Sequence, residues 1–548
     1  MNDQDINDAV NRVLANFSGT SSAASVAVAA PAPVAPAPAA SKSSSIDDAV
    51  ARIIAEMGGT TTAKAAEPLA TAPFSQGCNA VGEANCAGCK DCALGGAVSL
   101  DISDEEAVTL GEGVFATMDE AIEAAAEAQR QYLFCSMSAR QSFVDGIRDI
   151  FVQPDILERI SRMTVEQTGM GNVEHKIIKN RLAAQKTPGT EDLTTEAQSG
   201  DDGLTLVEYS AFGVIGSITP TTNPTETIIC NSIGMLAAGN SAVFSPHPRA
   251  KIVSLLTIKM INRKLAALGA PANLIVTVQA PSIDNTNAMM AHPKVRMLVA
   301  TGGPSIVKTV LSSGKKAIGA GAGNPPVVVD ETADIEKAAQ DIVNGCSFDN
   351  NLPCIAEKEV IAVDQIADFL ISQMQKAGAY LVKDAAVVKK LEELVLTAKG
   401  GPQTNCVGKS AVYLLDKVGI KVGPDIRVIL IELLKEHLFV REELMMPILP
   451  LVRAKDVDEA IDLAVELENG NRHTAMIHST NVRKITKMAK LIQTTIFVKN
   501  GPSYAGIGVG GEGYTTFTIA GPTGEGLTSP KSFARRRKCV MVEALNVR

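Results

Sequence analysis

Between residues 204 and 329 strand-length apolar runs alternate with longer segments of helical periodicity. Runs at 204–209, 214–218, 242–244, 274–278, 295–300 and 327–329 are separated by helical patterns over 226–238, 250–268, 284–291 and from Pro304. Apolar runs without clean polar alternation, joined through helices, predict a parallel sheet covered on both faces. Upstream, Thr117 opens a helix with Glu120 in capping-box position, continuing to about Tyr132. A second alternation starts near Val343 and carries the segment 355–363, helices near 366–376 and 388–394, and strands at 448–452 and 495–498. The expected class is α/β with two Rossmann-like parallel-sheet domains. The last thirty residues, ending in the Arg535–Lys538 basic knot and an apolar run to Val542, read as an outlying strand or arm of the kind that pairs between subunits.

The first sixty residues follow a different pattern. Residues 6–20 recur as residues 46–60, a repeat of period 40. Ile6, Val10, Val13, Leu14 and Phe17 form one helical stripe, matched by Ile46, Val50, Ile53, Ile54 and Met57. An Ala/Pro/Ser tract between the copies buries too little to fold, so each helix is a short amphipathic element on a leash. Helices of this length keep an apolar face by docking on something, and duplication adds avidity.

Composition narrows the function classes. The chain has 548 residues, too many for one core, and a net charge of −9 that offers no broad basic face for nucleic acid. No apolar run reaches the ~18 residues that span a bilayer, and the N-terminus is acidic where a signal peptide is basic, so a cytosolic protein is expected. Four of the ten cysteines, Cys78, Cys86, Cys89 and Cys92, fall within fifteen residues. That spacing suits tetrahedral zinc or an iron–sulfur cluster, with free or redox-active thiols as the other reading.

The candidate chemistry centres on residues 347–359, Ser-Phe-Asp-Asn-Asn-Leu-Pro-Cys-Ile-Ala-Glu-Lys-Glu. Cys354 follows a polar turn and precedes a charged segment that reads as a helix start, a setting that favours thiolate. A buried structural thiol is the competing reading. Two glycine-rich stretches, Gly508 to Gly513 and Gly319 to Gly323, are followed by strand-like sequence and so lack the helix a pyrophosphate site needs. Thr301-Gly302-Gly303-Pro304-Ser305 lies between a strand and a helix and makes the better cradle.

From about Asp104 to the C-terminus the sequence resembles the coenzyme A-acylating aldehyde dehydrogenases of the aldehyde dehydrogenase superfamily, especially the propionaldehyde and acetaldehyde dehydrogenases of bacterial microcompartments. The matching motifs are Glu166-Gln-Thr-Gly-Met-Gly171, Lys186-Thr-Pro-Gly189, Thr219-Pro-Thr-Thr-Asn-Pro-Thr225, Ser245-Pro-His-Pro248, Ala300-Thr-Gly-Gly303, the segment ending in Cys354, and Gly470-Asn-Arg-His-Thr474. The resemblance implies a NAD-binding domain over 104–342, with the hairpin near 196–212 belonging to an oligomerisation sheet. It implies a catalytic thiol domain over 343–516 and an oligomerisation arm over 517–548, joined to 1–62 through a Cys-bearing linker, 63–103.

The resemblance implies that Cys354 attacks the aldehyde, that Asn223 and the Cys354 backbone N–H hold the oxyanion, and that Glu443 contacts the nicotinamide ribose. Thr221, Ser245, Pro246, His247, Thr301, Gly302, Gly303, Ser305 and Gly319 fall where the family binds its cofactors, NAD and coenzyme A. Gly319 stands where hydrolytic relatives carry their general-base glutamate, which implies a thiol rather than water as acyl acceptor. The oligomerisation arm implies a homodimer or homotetramer, and the two N-terminal helices resemble encapsulation peptides, implying a place in a microcompartment lumen within the bacterial cytoplasm and contact with shell or core proteins. A hydrolytic aldehyde dehydrogenase, or an inactive shell-associated protein with a metal-binding cysteine loop, are the alternatives.

Overall fold

Two parallel sheets organise residues 99–547, the part of the chain described by this computed structural model. The N-terminal repeats and the loop of Cys78, Cys86, Cys89 and Cys92 lie outside those residues. The first sheet runs in the order Val114–Phe115, Ile275–Val278, Ser241–Ser245, Val214–Ile218, Val295–Thr301, Lys316–Ala320, every neighbouring pair parallel. Its order reverses at Val214–Ile218, which has Ser241–Ser245 on one side and Val295–Thr301 on the other. At such a switch point the loops leaving the carboxyl ends of the strands diverge and open a crevice. Both central strands are buried along their whole length, which accounts for their unbroken runs in the sequence. The helix between them, Pro224–Ala237, is buried on every side, polar residues such as Glu226 and Asn231 included. Helix Met118–Tyr132 opens on the predicted capping box of Thr117 and Glu120.

The second sheet has seven parallel strands in the order Ala379–Val382, Val428–Glu432, Ile448–Ala454, Glu359–Val363, Pro326–Val329, Thr474–His478, Ile496–Lys499. The strand at 327–329, which the hydrophobic pattern attaches to the first run, therefore belongs here. Only five residues separate Ala320 from Pro326, too few for a crossover back into the same parallel sheet. The chain leaves the carboxyl edge of one sheet and enters the amino edge of the next, so these two edges face each other.

The C-terminal strand Ala534–Val542 pairs antiparallel with Gly203–Ala211, which pairs with Glu196–Gly200 in a separate three-stranded sheet. Within the basic knot, Arg536 pairs with Glu196 at 2.6 Å and Arg535 Nε donates to the Ala211 carbonyl at 3.2 Å. No helix among the described residues is long and apolar enough to cross a membrane.

Candidate active site

Helix Ile335–Ser347 ends in a tight turn, and Asp349, Asn350 and Asn351 take φ of 50°, 54° and 64° in succession. Asp and Asn tolerate this left-handed region better than other non-glycine residues, yet each such residue costs roughly 1 kcal/mol or more and needs support. The support is explicit. Asn350 Nδ2 donates to the carbonyls of Gly171 and Gly408, at 3.2 and 2.9 Å. Asn351 Nδ2 donates to those of Cys346 and Glu357, at 2.9 and 3.0 Å. Lys358 Nζ donates to Asn351 Oδ1 at 2.6 Å, and Asp349 Oδ1 accepts the Asn172 N–H at 2.8 Å. Gly171 is required here, because a Cβ there would stand 2.3 Å from Asp349 Oδ1.

This turn delivers Cys354, partly buried, just before strand Glu359–Val363. The residues after it form a turn and then the strand, so the expected helix start is absent. Burial pushes the thiol up to about 12, the Glu443 carboxylate adds to this, and Lys358 and Lys179 oppose it. The resting group is a thiol, contrary to the thiolate expected from a helix N-terminus, because no helix dipole offsets its desolvation.

Asn223 ends the loop after strand Val214–Ile218 and starts the buried helix, with Pro224 in the first turn. Its Oδ1 accepts from Lys179 Nζ at 2.5 Å, while Nδ2 contacts Thr222 Oγ1 at 3.3 Å. Lys179, the ammonium on Asn223 Oδ1, is also one of the charges that lower the Cys354 thiol.

Gly323 lies in the five-residue link between the sheets, and a Cβ there would stand 2.9 Å from both the Cys354 carbonyl oxygen and His473 Cγ. Its N–H donates to the Glu443 carboxylate, whose Oε1 has no hydrogen-bond partner and whose carboxyl is raised by burial. His473 is buried, its Nδ1 sits 2.9 Å from Thr474 Oγ1, and burial lowers it to about 4, so the ring is neutral. Gly319 lies inside strand Lys316–Ala320 with its Cβ direction toward Val307 Cγ1, 2.6 Å away, and Gly323 is the bare position that abuts the Cys354 backbone.

The remaining sequence candidates gather at the carboxyl edge of the first sheet. Thr221 lies in the loop after Val214–Ile218. Ser245, Pro246 and His247 follow the next strand over, with Ser245 Oγ 2.8 Å from Thr286 Oγ1. Thr301, Gly302 and Gly303 lead into helix Pro304–Leu311, which has no side-chain cap and carries Ser305 exposed in its first turn. Nothing lies within 4 Å of a Cβ at Gly303, so the approach to this uncapped helix start is open on that side.

Several residues of the site give little signal in the sequence. Lys176, Lys179 and Lys358 are buried lysines, and an i,i+3 pair on a helix is normally a solvated face. Only the Asp349 carboxylate in the neighbouring turn hints that such charges have a buried partner.

Residues 101–520 match the aldehyde dehydrogenase family. The CoA-propanoylating propanal dehydrogenase of Citrobacter freundii is 50% identical over 452 residues, which cover 82% of this chain and 97% of that protein. The crystal structure of Rhodopseudomonas palustris propionaldehyde dehydrogenase, with bound CoA and an acylated cysteine, is 76% identical with a TM-score of 0.79, covering 80% of this chain and 100% of its own. A propionaldehyde dehydrogenase from the fucose utilisation bacterial microcompartment of Clostridium phytofermentans is 56% identical with a TM-score of 0.78, at 80% and 100% coverage. The chain belongs to the aldehyde dehydrogenase family, in its coenzyme A-acylating branch.

Proposed function

We propose that this chain oxidises propionaldehyde or acetaldehyde to the acyl-CoA through a thioester on Cys354, with NAD as hydride acceptor. The Lys179 ammonium, which holds Asn223 Oδ1 and also lowers the Cys354 thiol, carries the reading. Attack by sulfur on the carbonyl carbon places negative charge on oxygen, which the Asn223 Nδ2–H and the Cys354 backbone N–H stabilise. Thr221, residues 245–247, the 301–305 loop and helix, and Glu443 at the ribose would hold NAD, which would supply the two-electron acceptor for the hydrogen that leaves the attacked carbon as hydride, so that the C–O bond becomes the carbonyl of a Cys354 thioester. Cys354 is then released when its acyl group passes to the thiol of coenzyme A, leaving sulfur as the leaving group. Product analysis tests this: thioester should dominate over free acid when coenzyme A is present, and Cys354→Ala should produce no NADH. A Cys354→Ala enzyme at full rate would overturn it.

The N-terminal repeats are assigned to encapsulation, supported by their duplicated stripe and by the microcompartment source of a relative 56% identical. Removing residues 1–60 should leave the specific activity intact and end co-purification with shells; unchanged encapsulation would sink that assignment. The exposed outer strand Ala534–Val542 supports a homodimer or homotetramer. The four thiols of Cys78, Cys86, Cys89 and Cys92 are proposed to hold zinc or an iron–sulfur cluster, to be tested by metal analysis and the visible spectrum of anaerobically purified protein.

A further inference from the structure

Lys176 and Lys179 stand one turn apart on helix Val173–Lys186, and both are fully buried. Lys179 Nζ meets three acceptors: Asp349 Oδ2 at 2.5 Å, Asn223 Oδ1 at 2.5 Å and Glu226 Oε1 at 3.0 Å. The first two are hydrogen bonds and the third, to Glu226, is an ion pair. The acceptors come from separate parts of the site. Asp349 belongs to the turn that delivers Cys354, Asn223 to the loop at the carboxyl edge of the first sheet, and Glu226 to the helix that this loop starts. Lys176 meets the same Asp349 oxygen at 3.1 Å and the Thr222 carbonyl at 2.9 Å, without touching the Asn223 amide.

The two ends of a primary amide are alike in shape and opposite in hydrogen-bonding character. An ammonium only donates, so Lys179 accepts Asn223 in one orientation, with Oδ1 toward it and Nδ2 turned away. We propose that Lys179 is a positioning residue for aldehyde oxidation: it fixes the Asn223 amide with Nδ2 turned away from the ammonium, one N–H donating to Thr222 Oγ1 at 3.3 Å and the other left for the oxyanion, and, through Asp349, ties that donor to the Cys354 turn. The proposal rests on Cys354 as nucleophile and Asn223 as oxyanion donor. A structural role alone would be served as well by apolar packing, since burying two cations and two carboxylates costs more desolvation than simple cohesion repays. Orienting an amide, by contrast, requires a charge-assisted donor at that point.

The test compares full-length Lys179→Met, Lys179→Arg, Lys176→Met and Asn223→Ala enzymes in initial rates with propionaldehyde, NAD and coenzyme A, alongside their melting temperatures. Lys179→Met should lower kcat/KM for the aldehyde by about 10²–10³-fold, the cost of losing one oxyanion donor, with KM for NAD within about twofold of wild type. Lys176→Met strips the same carboxylate of one partner, so it should lower the melting temperature comparably while reducing kcat/KM at least about tenfold less. The double variant Lys179→Met/Asn223→Ala should be no slower than Asn223→Ala, because no amide is left to orient. Lys179→Arg should recover part of the rate. Additive effects in the double variant, or equal rate losses in Lys176→Met and Lys179→Met, would overturn the proposal. If Lys179→Met does not fold, the charge-balanced Lys179→Met/Glu226→Gln enzyme carries the same expectations. Cys354→Ala separates the two levels: a fully active Cys354→Ala protein overturns the site itself, whereas an inactive one beside a wild-type-like Lys179→Met overturns only the role of Lys179.

Discussion

The Glu357 carboxylate accepts both hydrogen bonds that Ser503 can donate, from its backbone N–H and from its hydroxyl, each at 2.7 Å. This clasp closes three residues beyond Cys354 and joins its segment to the 503–507 turn. Gly345 makes the space, since a Cβ there would stand 2.1 Å from Glu357 Oε1. Gly345→Ala should therefore weaken the clasp and lower the melting temperature by several degrees, an overpacking loss of about 1–3 kcal/mol.

Burial pushes the Glu357 carboxyl from its ordinary 4.5 up to about 7, against the pull of the Ser503 hydrogen bonds. A carboxyl whose folded value is raised binds a proton in the fold that the unfolded chain has lost. Its contribution is thus full below pH 4.5 and disappears as pH rises through 7. At 1.36 kcal/mol per unit that is about 3 kcal/mol. Glu357→Gln should flatten the fall in stability between pH 5 and 8 relative to wild type. Denaturant midpoints at the two pH values check it, and an unchanged wild-type slope in the variant would count against it.

A thiol pushed to about 12 is almost wholly protonated at neutral pH. The rate of Cys354 alkylation by iodoacetamide in the free enzyme should accordingly climb about tenfold per pH unit from 7 to 10. An ordinary thiol would level off near 8.5–9. A plateau in that range, followed by mass spectrometry of the Cys354 peptide, would show that the thiol is not desolvated as its surroundings require.

Gly323 is sandwiched between the Cys354 carbonyl and the His473 ring, with 2.9 Å left on either side for a Cβ. Neither neighbour can yield freely: one is backbone, and His473 is anchored by its own N–H on Glu468 Oε1 at 2.9 Å. Gly323→Ala should displace the nucleophile by some tenths of an ångström and lower kcat by about 10–100-fold, with the KM for NAD little changed. A variant with wild-type kcat would show that the turn absorbs the methyl group elsewhere.

What the sequence disclosed and what it hid divide along physical lines. Buried parallel strands announce themselves as apolar runs, and the Thr117 capping box is a local signal, so the elements of both sheets were legible. The assignment of strand Pro326–Val329 to the second sheet depends on the length of one link, which an apolar pattern does not weigh. Cys354 and Asn223 were legible through their motifs. The lysines behind Asn223 were not, because a helix with Lys at i and i+3 looks solvated until the tertiary fold supplies Asp349 and Glu226. The upward shift of the Cys354 thiol follows from burial, which a single segment does not carry.

The acyl enzyme should outlast its own hydrolysis. Hydrolytic turnover needs a base to take a proton from water, a contribution of about 10²–10⁴-fold in rate. The stretch from Lys316 to Pro325 contains no carboxylate. His473 is neutral and has a free Nε2, but a ring lowered to about 4 is too weak a base to activate water near pH 7. Mixing the enzyme with propionaldehyde and NAD alone should give a burst of one NADH per Cys354. A steady rate at least about 10²-fold below that reached with coenzyme A should follow. Stopped-flow absorbance resolves the two phases, and intact-mass measurement after the burst should find one acyl group, lost on adding coenzyme A. Equal steady rates with and without coenzyme A would mean that some other group in the site serves water as a base, and that the missing carboxylate does not protect the thioester.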